Sequence, residues 1–441
     1  MKYRLLFTLP LLISLSSCSV SKQIARSARE NVLKDETLQT AHVGISIYEP
    51  ATGKYWYNYN GDNYFVPASN TKLPTCYAAM KYLGDSLVGL RYEKAGIGNG
   101  QYAILAQASG DPTFLHPEFP TQPVFDFLTK HSNIELNISN WKDQGWGNGW
   151  AWNDYDASYM VERSAMPIYG NVVRFSNQLK SLDVIPKYFF STTIRDSLES
   201  SQLYPSSVQR PIASNQFFIL GKNVSKSSVE SPFYTSNGTI IFDLLSDTLH
   251  KQIKKDYIHN QRWNLATNII HSQPTDSLLK PMIHRSDNFF AEQSLLMVSN
   301  ELLGVMNDEK IIDTLLKTDF KDLPQKPRWV DGSGLSRYNL FSPQDFVFIL
   351  NKMKTDFGID RIKNILPTGN EGTLGSRFVT DSNYIFAKTG TLSGVVALTG
   401  FLYTKKNKLL IFSVLVNNHN ASAAGVRNAV EKFIHGIREK Y

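Results

Sequence analysis

The chain has 441 residues, of which 42% are hydrophobic, 12% aromatic and 19% charged, and its formal net charge is +7. This composition is typical of a folded protein and excludes a disordered or fibrous chain. The length is too great for one ordinary hydrophobic core and allows two or three domains. Because the basic residues form no long run, we expect no nucleic-acid partner.

The N-terminus has the features of an export signal. Lys2 and Arg4 give it a positive start, and the apolar stretch Leu5–Leu15 is too short to span a membrane as a mature helix. The tetrad Leu15-Ser16-Ser17-Cys18 resembles the bacterial lipobox, in which the cysteine is lipidated and becomes the first mature residue. We therefore expect a protein of the periplasm or cell envelope, held to a membrane (the outer membrane is favoured) by a lipid on Cys18. A plain secretory peptide is the alternative.

Cysteine usage excludes an internal disulfide. The sequence has two cysteines, and with Cys18 carrying a lipid only Cys76 would be left. The fold must then depend on its core rather than on covalent crosslinks. Cys76 is interpreted as a small buried packing residue and not as a reactive thiol.

The predicted fold begins with two strands and a helix. His42–Tyr48 and Tyr55–Tyr59 are rich in β-branched and aromatic residues, and Pro and Gly turn residues lie between them, which predicts two strands joined by a turn. Ser69–Leu83 has apolar residues at helical spacing. Proline is tolerated only in the first turn of a helix, so Pro74 requires this helix to begin close to Ser69.

Residues 92–265 differ in character from the rest of the chain. Gly, Asn, Ser and aromatic residues are frequent and the apolar runs are short, which predicts an inserted β-rich region of one or two subdomains. The predicted strands of this region are Tyr102–Ala108, Glu135–Ile138, Val172–Phe175 and Thr239–Leu244.

The last part of the chain is helical again and ends with strands and a helix. Helices are predicted at Ser277–His284, Phe289–Leu303, Lys310–Leu316, Pro343–Met353 (with Ser342 as N-cap) and Ala421–Arg438. Strands are predicted at Tyr384–Ala387, Val395–Tyr403 and Leu409–Asn417, the last two as a hairpin. The predicted organisation is a lipoprotein signal peptide (1–17), a tether and the start of a first helix (18–40), a catalytic domain (41–91 and 266–441) and the insertion (92–265).

Three short motifs stand in an informative order: Ser69-Asn70-Thr71-Lys72, Ser286-Asp287-Asn288 and Lys388-Thr389-Gly390. In the first, the serine and lysine lie one helical turn apart, where a lysine of lowered pKa can activate the hydroxyl. Each motif alone is common at turns, caps and strand ends. The ordered set, opening a helix, joining two helices and ending a strand, resembles the signature of penicillin-binding proteins and class A β-lactamases.

The chain resembles more narrowly the class C low-molecular-mass penicillin-binding proteins, the D-alanyl-D-alanine carboxypeptidase/endopeptidase family. The long separation of Ser69 from Ser286 fits the large insertion of that family. The other matching stretches are Gly110-Asp111-Pro112-Thr113, Trp150-Ala151-Trp152-Asn153-Asp154, Ala291-Glu292, Asp331–Arg337, Leu366-Pro367 and Gly372-Thr373-Leu374. The resemblance implies an α/β (α+β) fold of the transpeptidase/β-lactamase type, with an antiparallel sheet flanked by helices and a β-rich insertion.

The resemblance also implies the chemistry of the catalytic residues. Ser69 would attack the penultimate D-alanine carbonyl and form an acyl-enzyme. Lys72, kept neutral by burial and by the charge of Lys388, would accept the serine proton. Ser286 would relay a proton to the leaving amine, and Asn288 would fix Lys72 and the substrate amide.

The strand motif would bind the substrate. Lys388 and Thr389 would hold the terminal carboxylate, and Gly390 would let the substrate backbone approach closely. The backbone N–H groups of Ser69 and Thr391 would form the oxyanion hole. The expected partners are peptidoglycan stem peptides as substrates and β-lactam antibiotics as covalent inhibitors. No cofactor or metal is expected, since the nine histidines form no close pair.

By the same resemblance, an acid after Trp150-Ala151-Trp152 would face the side-chain amine of the peptide's diamino acid. Asp154 is the closest match and Asp156 is its rival, while a solvated loop acid is the alternative interpretation.

Two other functions stay open at this point. A serine β-lactamase or esterase would need a group that activates water, and none of Glu118, Glu135 and Glu162 lies in a recognisable class A loop. A lipoprotein that binds peptidoglycan or β-lactams without turnover would release no D-alanine. The balance of carboxypeptidase and endopeptidase action depends on how open the cleft is.

Overall fold

The computed structural model describes residues 20–178, 181–195, 207–220, 228–256 and 268–441. The predicted signal peptide, Cys18 and the predicted domain boundary at residues 265 and 266 lie outside these ranges.

The described residues contain the helices α1 to α10, of which α3 and α4 lie in the inserted region. Their bounds are α1 20–28, α2 Lys72–Tyr82, α3 Pro123–Thr129, α4 Ile240–Leu249, α5 Thr275–His284, α6 Asn288–Leu303, α7 Asp308–Lys317, α8 Pro343–Phe357, α9 Ile359–Ile365 and α10 Ala423–Lys440. Helix α1 continues into a π-helical turn, Arg29–Leu33. Within the described ranges, none of the helices combines the length and the hydropathy that crossing a bilayer requires.

The described strands form four sheets. Their bounds are β1 His42–Glu49, β2 Lys54–Tyr59, β3 Ser86–Gly98, β4 Gln101–Ala108, β5 Ile134–Asn137, β6 Val172–Gln178, β7 Ser181–Ile185, β8 Thr193–Arg195, β9 Ser207–Gln209, β10 Phe217–Leu220, β11 Val229–Pro232, β12 Ile253–Lys255, β13 Asn268–Pro274, β14 Ile385–Leu392, β15 Val395–Tyr403 and β16 Leu409–Asn417.

The central sheet is antiparallel, with the strand order β14-β15-β16-β1-β2. Strands β15 and β16 are apolar and buried along almost their whole length, which is typical of a sheet covered on both faces. Successive side chains of a strand point to opposite faces. Accordingly Phe401 and Ile411 pack with α8 residues such as Phe346, whereas Leu402 and Phe412 pack with α10 and α1.

Helix α2 runs through the middle of the helical cluster, between α5, α6 and α8. Every residue from Lys72 to Met80 is buried, so the helix lacks a polar face. A 3-10 turn, Ala68–Thr71, precedes it and carries Ser69. Pro74 lies within the first turn of α2, as the sequence required, and Cys76 is a buried free thiol.

The inserted region has a core of its own, formed by residues such as Ile104, Phe175 and Leu244. Its largest sheet is mixed, with the order β12-β5-β4-β3-β13, and two three-stranded sheets (β11-β6-β7 and β8-β10-β9) complete it. The first and last segments of this region, β3 and β13, pair antiparallel. Strand β3 runs through the predicted boundary at 91 and 92, so we propose that the insertion begins at β3 and ends with β13.

The segment Thr239–Leu244 differs from the sequence expectation. It was predicted as a strand, but Ile240–Leu244 lies in helix α4 with Thr239 as its N-cap, so that prediction was wrong. The buried residues Ile240, Ile241, Leu244, Leu245 and Leu249 lie on one face of this helix, and the tertiary environment overrides the β-branched start of the run.

The first helix that was predicted to begin within residues 18–40 is present in the structure. Residues 20–28 are helical and continue into Arg29–Leu33, and the buried residues Ile24 and Val32 pack against α10.

Candidate active site

A cleft of about 730 Å³ lies where the helical cluster, the edge of the central sheet and the insertion meet. Ser69 lines it from the turn before α2, Ser286 and Asn288 from the start of α6, and Thr391 from β14. Asp154 lines it from the inserted region. The amines of Lys72 and Lys388 are fully buried beneath it. The structure thus brings residues of all three sequence motifs to one place.

Lys72 makes three hydrogen bonds that orient its amine. The Nζ atom lies 3.1 Å from Ser69 Oγ, 2.6 Å from Asn288 Oδ1 and 2.8 Å from the carbonyl oxygen of Ser333. An amide oxygen and a carbonyl can only accept hydrogen bonds. In the neutral amine, therefore, both hydrogens are directed at Asn288 and Ser333, and the lone pair is left to face the Ser69 hydroxyl.

Burial lowers the pKa of Lys72 to about 8, against the opposing effect of Asp331, Glu292 and Asp287. The nearby charges that act on Lys72 are thus negative, which differs from the expectation that Lys388 would lower its pKa. The repulsion between the two amines instead affects Lys388, because burial and the charge of Lys72 bring the pKa of Lys388 well below its usual range. Two ammonium ions in this site are unfavourable, so one amine tends to lose its proton.

Ser286 is hydrogen-bonded to Lys388. Lys388 Nζ donates to Ser286 Oγ at 2.8 Å and to the carbonyl of Thr389 at 2.7 Å. Ser286 has a left-handed backbone, with φ of 63°, which is uncommon for a residue other than glycine and is often found at functional sites. Among the described residues, Ser286 contacts the amine of Lys388 and not that of Lys72, so its role as a proton relay stays a prediction.

The open edge of β14 points towards the site. The Ala387 N–H donates to the carbonyl of Pro367, on the side of β14 that faces away from β15. Since N–H groups two residues apart on a strand point the same way, the Thr391 N–H also points to the open edge. This is the direction that the predicted oxyanion-hole donor requires. The hydroxyl of Thr389 is exposed and donates to Thr373 Oγ1 at 2.6 Å, and Thr389 is not one of the residues that line the cleft.

Gly390 allows a close approach between two parts of the protein itself. A Cβ atom at this position would lie 2.8 Å from the carbonyl oxygen of Pro67 and 3.1 Å from the backbone nitrogen of Ser69. Any larger residue would push β14 away from the Ser69 turn. The sequence reasoning assigned this glycine to the approach of substrate, and the structure adds the packing of the nucleophile turn.

The loop that supplies the Ser333 carbonyl is folded around the carboxylate of Asp331. This carboxylate accepts hydrogen bonds from the backbone of Gly334 and Ser336 and from the side chains of Asn339 and Trp150, at 2.7 to 3.0 Å. The sequence reasoning matched Asp331–Arg337 to the family but gave it no role. A main-chain carbonyl carries no residue-type signal, so the Ser333 contact was not predictable from the sequence.

The insertion contributes one wall of the cleft. Asp154 lines the cleft, and Asp156 is not one of its lining residues. The phenol of Tyr159 has a raised pKa because of partial burial and a hydrogen bond to Asp154. The backbone carbonyl of Tyr159 accepts a hydrogen bond of 2.9 Å from Asn288 Nδ2. Asn288 therefore binds Lys72 with one end of its amide and the insertion with the other.

One group of potential metal ligands occurs in the described part of the chain, away from this cleft. Ligand atoms of Asp381, His435 and Glu439 lie within 4.8 Å of one another. Asp381 is already paired with Arg438 at 2.9 Å and with His435 at 2.7 Å. A site whose charge is compensated in this way is a poor match to a cation, so the group is interpreted as an ion-pair network.

The chain is similar to solved structures over nearly its whole length. Penicillin binding protein 4 (dacB) of Haemophilus influenzae has a TM-score of 0.71 and 19% identity, with 94% of this chain and 98% of that chain covered. A predatory endopeptidase of Bdellovibrio bacteriovorus, solved with an immunity protein, has a TM-score of 0.54 and 15% identity, with 90% and 92% covered. At these identities the likeness shows the fold, and the predicted fold class is confirmed.

Sequence comparison gives the family. A D-alanyl-D-alanine carboxypeptidase of Actinomadura sp. (strain R39) is 24% identical over 477 aligned positions, which cover 95% of this chain and 87% of that protein. The model of the D-Ala-D-Ala carboxypeptidase 3 (S13) family matches residues 25–436. The predicted family and the predicted serine carboxypeptidase class are thereby confirmed. The chain belongs to the D-Ala-D-Ala carboxypeptidase 3 (S13) family.

Proposed function

We propose that this protein is a serine DD-peptidase of the cell envelope that removes the terminal D-alanine of peptidoglycan stem peptides and cleaves their D-Ala–diamino acid crosslinks. The observation that carries the proposal is the amine of Lys72, held 3.1 Å from Ser69 Oγ by two acceptors that occupy its hydrogens. A serine becomes a useful nucleophile when a base is placed in this way.

Acylation follows from the geometry of the site. Neutral Lys72 takes the proton of Ser69 while Oγ forms a bond to the substrate carbonyl carbon. The N–H groups of Ser69 and Thr391 stabilise the resulting oxyanion, a donor of this kind contributing about 3 kcal/mol. The C–N bond then breaks, and the leaving amine takes a proton from Ser286. Ser286 regains a proton from the Lys72 ammonium, a step that requires Ser286 Oγ to exchange its hydrogen bond with Lys388 for one with Lys72. In deacylation, water takes the place of the amine and Ser69 recovers its hydrogen.

Lys388 provides charge for the terminal carboxylate of the substrate, with Thr389 as an additional hydrogen-bond donor. In the free site, burial and Lys72 favour the neutral amine of Lys388. An incoming carboxylate would favour the ammonium form, because an opposite charge nearby raises the pKa of a lysine. Binding of the anionic end of the peptide would thus bring a proton to Lys388 while Lys72 stays the base.

The same acylation step accounts for inhibition by β-lactams, whose ring amide replaces the peptide bond. Support comes from the Haemophilus influenzae penicillin binding protein 4, which has also been solved in complex with a β-lactam. A β-lactamase would in addition need a group that activates water. Glu118 is paired with Arg285 and Glu162 with Thr235, and neither they nor Glu135 line the cleft.

We also propose the finer location that the N-terminal sequence suggests: export by a signal peptide of residues 1–17 and lipid attachment at Cys18, with the periplasmic side of the outer membrane favoured. The support is the lipobox-like tetrad before Cys18. Cys18→Ser is expected to abolish incorporation of labelled palmitate and to release the protein from washed membranes. Unchanged labelling of this variant would contradict the anchor.

Ser69→Ala is expected to lower D-alanine release from a stem pentapeptide by at least about 10⁴-fold and to abolish covalent labelling by fluorescent penicillin, because no other group can form the acyl-enzyme. Release of free D-alanine and cleavage of crosslinked dimers would be measured in parallel with purified protein. Ser422→Ala, at the exposed N-cap of α10, is the control and should be fully active. Labelling of Ser69→Ala at the wild-type rate would contradict the proposal.

The pH profile should report the titration of Lys72. Its pKa is lowered to about 8 and the base must be neutral, so kcat/KM is expected to rise with pH through about 8. Lys72→Arg keeps the charge but cannot lose its proton, and should reduce kcat/KM by about 10²- to 10⁴-fold at every pH. Lys317→Arg on the surface is the control. A profile that is flat across this range would exclude Lys72 as the base.

Asp154→Asn is expected to lower kcat/KM by about 10-fold for stem peptides whose diamino acid has a free side-chain amine, because a hydrogen bond to a charged group is lost. Peptides with that amine acetylated should be cleaved equally well by variant and wild type. Asp156→Asn is the matched control, since its side chain does not line the cleft. An equal loss on both kinds of peptide would contradict recognition of the amine.

A further inference from the structure

A buried charge cluster joins the insertion to helix α6. Arg163, 1% exposed, donates to Asp143 at 2.8 Å, to Asp308 at 2.6 Å and to Glu292 at 3.3 Å. It also donates to the backbone carbonyls of the 144–146 segment. Glu292 is itself 1% exposed and lies one turn after Asn288 on α6. A buried carboxylate is stable only when it is paired in this way.

The other carboxylate oxygen of Glu292 is connected to Lys72 through the backbone of Ser333. Glu292 Oε1 accepts a hydrogen bond of 2.7 Å from the Ser333 N–H, and the Ser333 carbonyl accepts one of 2.8 Å from Lys72 Nζ. Asp331 accepts a hydrogen bond of 2.8 Å from the N–H of Gly334. Because N–H and C=O point in opposite directions in a trans peptide, Asp331 directs the Ser333 carbonyl and Glu292 fixes the preceding peptide plane.

The segment around Ser333 has no room to relax. A Cβ atom at Gly332 would lie 2.8 Å from the Ala291 carbonyl oxygen, and one at Gly334 would lie 1.9 Å from the Ala68 carbonyl oxygen. The segment is therefore wedged between α6 and the turn that carries Ser69. A change in the length or charge of Glu292 would be passed to the Ser333 carbonyl rather than absorbed.

We propose that Glu292 and Arg163 are positioning residues for the reaction: Arg163 holds the buried carboxylate of Glu292, and Glu292 fixes the peptide plane before the Ser333 carbonyl, which directs the amine of Lys72 at Ser69. This inference rests on the proposed role of Lys72 as the base. It gives the insertion a part in catalysis as well as in substrate binding.

Electrostatics is consistent with this assignment. Burial and Asp331 raise the pKa of Glu292 to about 8, against the opposing effect of Arg163 and the hydrogen bond from Ser333. Burial lowers the pKa of Lys72, whereas Asp331, Glu292 and Asp287 raise it, and Lys388 is the facing cation. Glu292 therefore carries its charge in the upper part of the pH range, and removing that charge should lower the pKa of Lys72 and make it a weaker base.

The experiment measures the second-order rate constant for acylation by a fluorescent penicillin across a pH series, normalised to titrated active sites. Glu292→Asp keeps the charge but shortens the reach to Ser333, and should slow acylation by about 10²-fold, as misplacement of a base by about 1 Å does. Glu292→Gln keeps the side-chain length but removes the carboxylate charge. It should shift the pH profile of the acylation rate constant about one unit towards lower pH. Arg163→Lys should slow acylation in the same way, because an ammonium cannot replace the guanidinium fork.

Glu301→Gln is the matched control. Glu301 lies on the same helix and is paired at 2.6 Å with Arg91 of the insertion, but it is more than three turns from Asn288. This variant should keep the wild-type rate constant and pH profile. Wild-type values for Glu292→Asp and Glu292→Gln, or equal changes in Glu301→Gln, would overturn the inference.

Lys72→Met separates the two proposals. If it acylates normally, the proposed base is wrong. If it is inactive while the Glu292 variants behave as wild type, only the positioning role is wrong. If the Glu292 variants give no active sites to titrate, the rate constant and pH profile of Arg163→Lys decide: wild-type values overturn the inference.

Discussion

The site depends on one unfavourable event, the complete burial of the Lys72 amine. Removing an ammonium group from water costs several kcal/mol, and the protein can tolerate it only by supplying acceptors or by releasing the proton. The two acceptors come from distant parts of the chain, the start of α6 and the loop before α8, whereas Ser69 lies in the adjacent turn before α2. The helical cluster therefore has to bring these segments to one point, and the same contacts that satisfy the amine support its proposed role as a base.

A second constraint is the close packing of backbone around the Ser69 turn. Gly390 of β14 approaches the turn from one side and Gly334 from the other, each at a distance that a side chain would prevent. Asn70, within the turn, donates to Thr399 of β15 at 2.7 Å. The Ser69 turn and strand β14 are thus held together by the same contacts. In the proposed mechanism, the preorganisation of the oxyanion donors follows from this packing rather than from flexible side chains.

Much of this arrangement was predictable because it follows from local sequence patterns, such as apolar runs and the position of a proline. The bounds of β15 and β16 agree with the structure, and the start of α2 agrees with the limit set by Pro74. Thr239–Leu244 was not predictable, because a short apolar run fits a strand or a helix until its neighbours are known. The charges that raise the pKa of Lys72 include those of Asp331 and Glu292. These residues lie more than 200 positions from Lys72 in the sequence and come close to it only in the folded structure, so their effect was not predictable. The Ser333 carbonyl has no signature in the sequence at all.

The stretch of the insertion from Asp154 to Arg163 contacts the site at three points. Asp154 lines the cleft, the carbonyl of Tyr159 holds the amide of Asn288, and Arg163 holds Glu292. The two ends of this stretch therefore do different work, the first facing the substrate and the last facing the lysine. Because Asn288 and Glu292 lie one turn apart on α6, a shift of the insertion would reach both ligands that orient Lys72. The wall of the cleft that is proposed to select the peptide is in this way connected to the residues that orient Lys72, the proposed base.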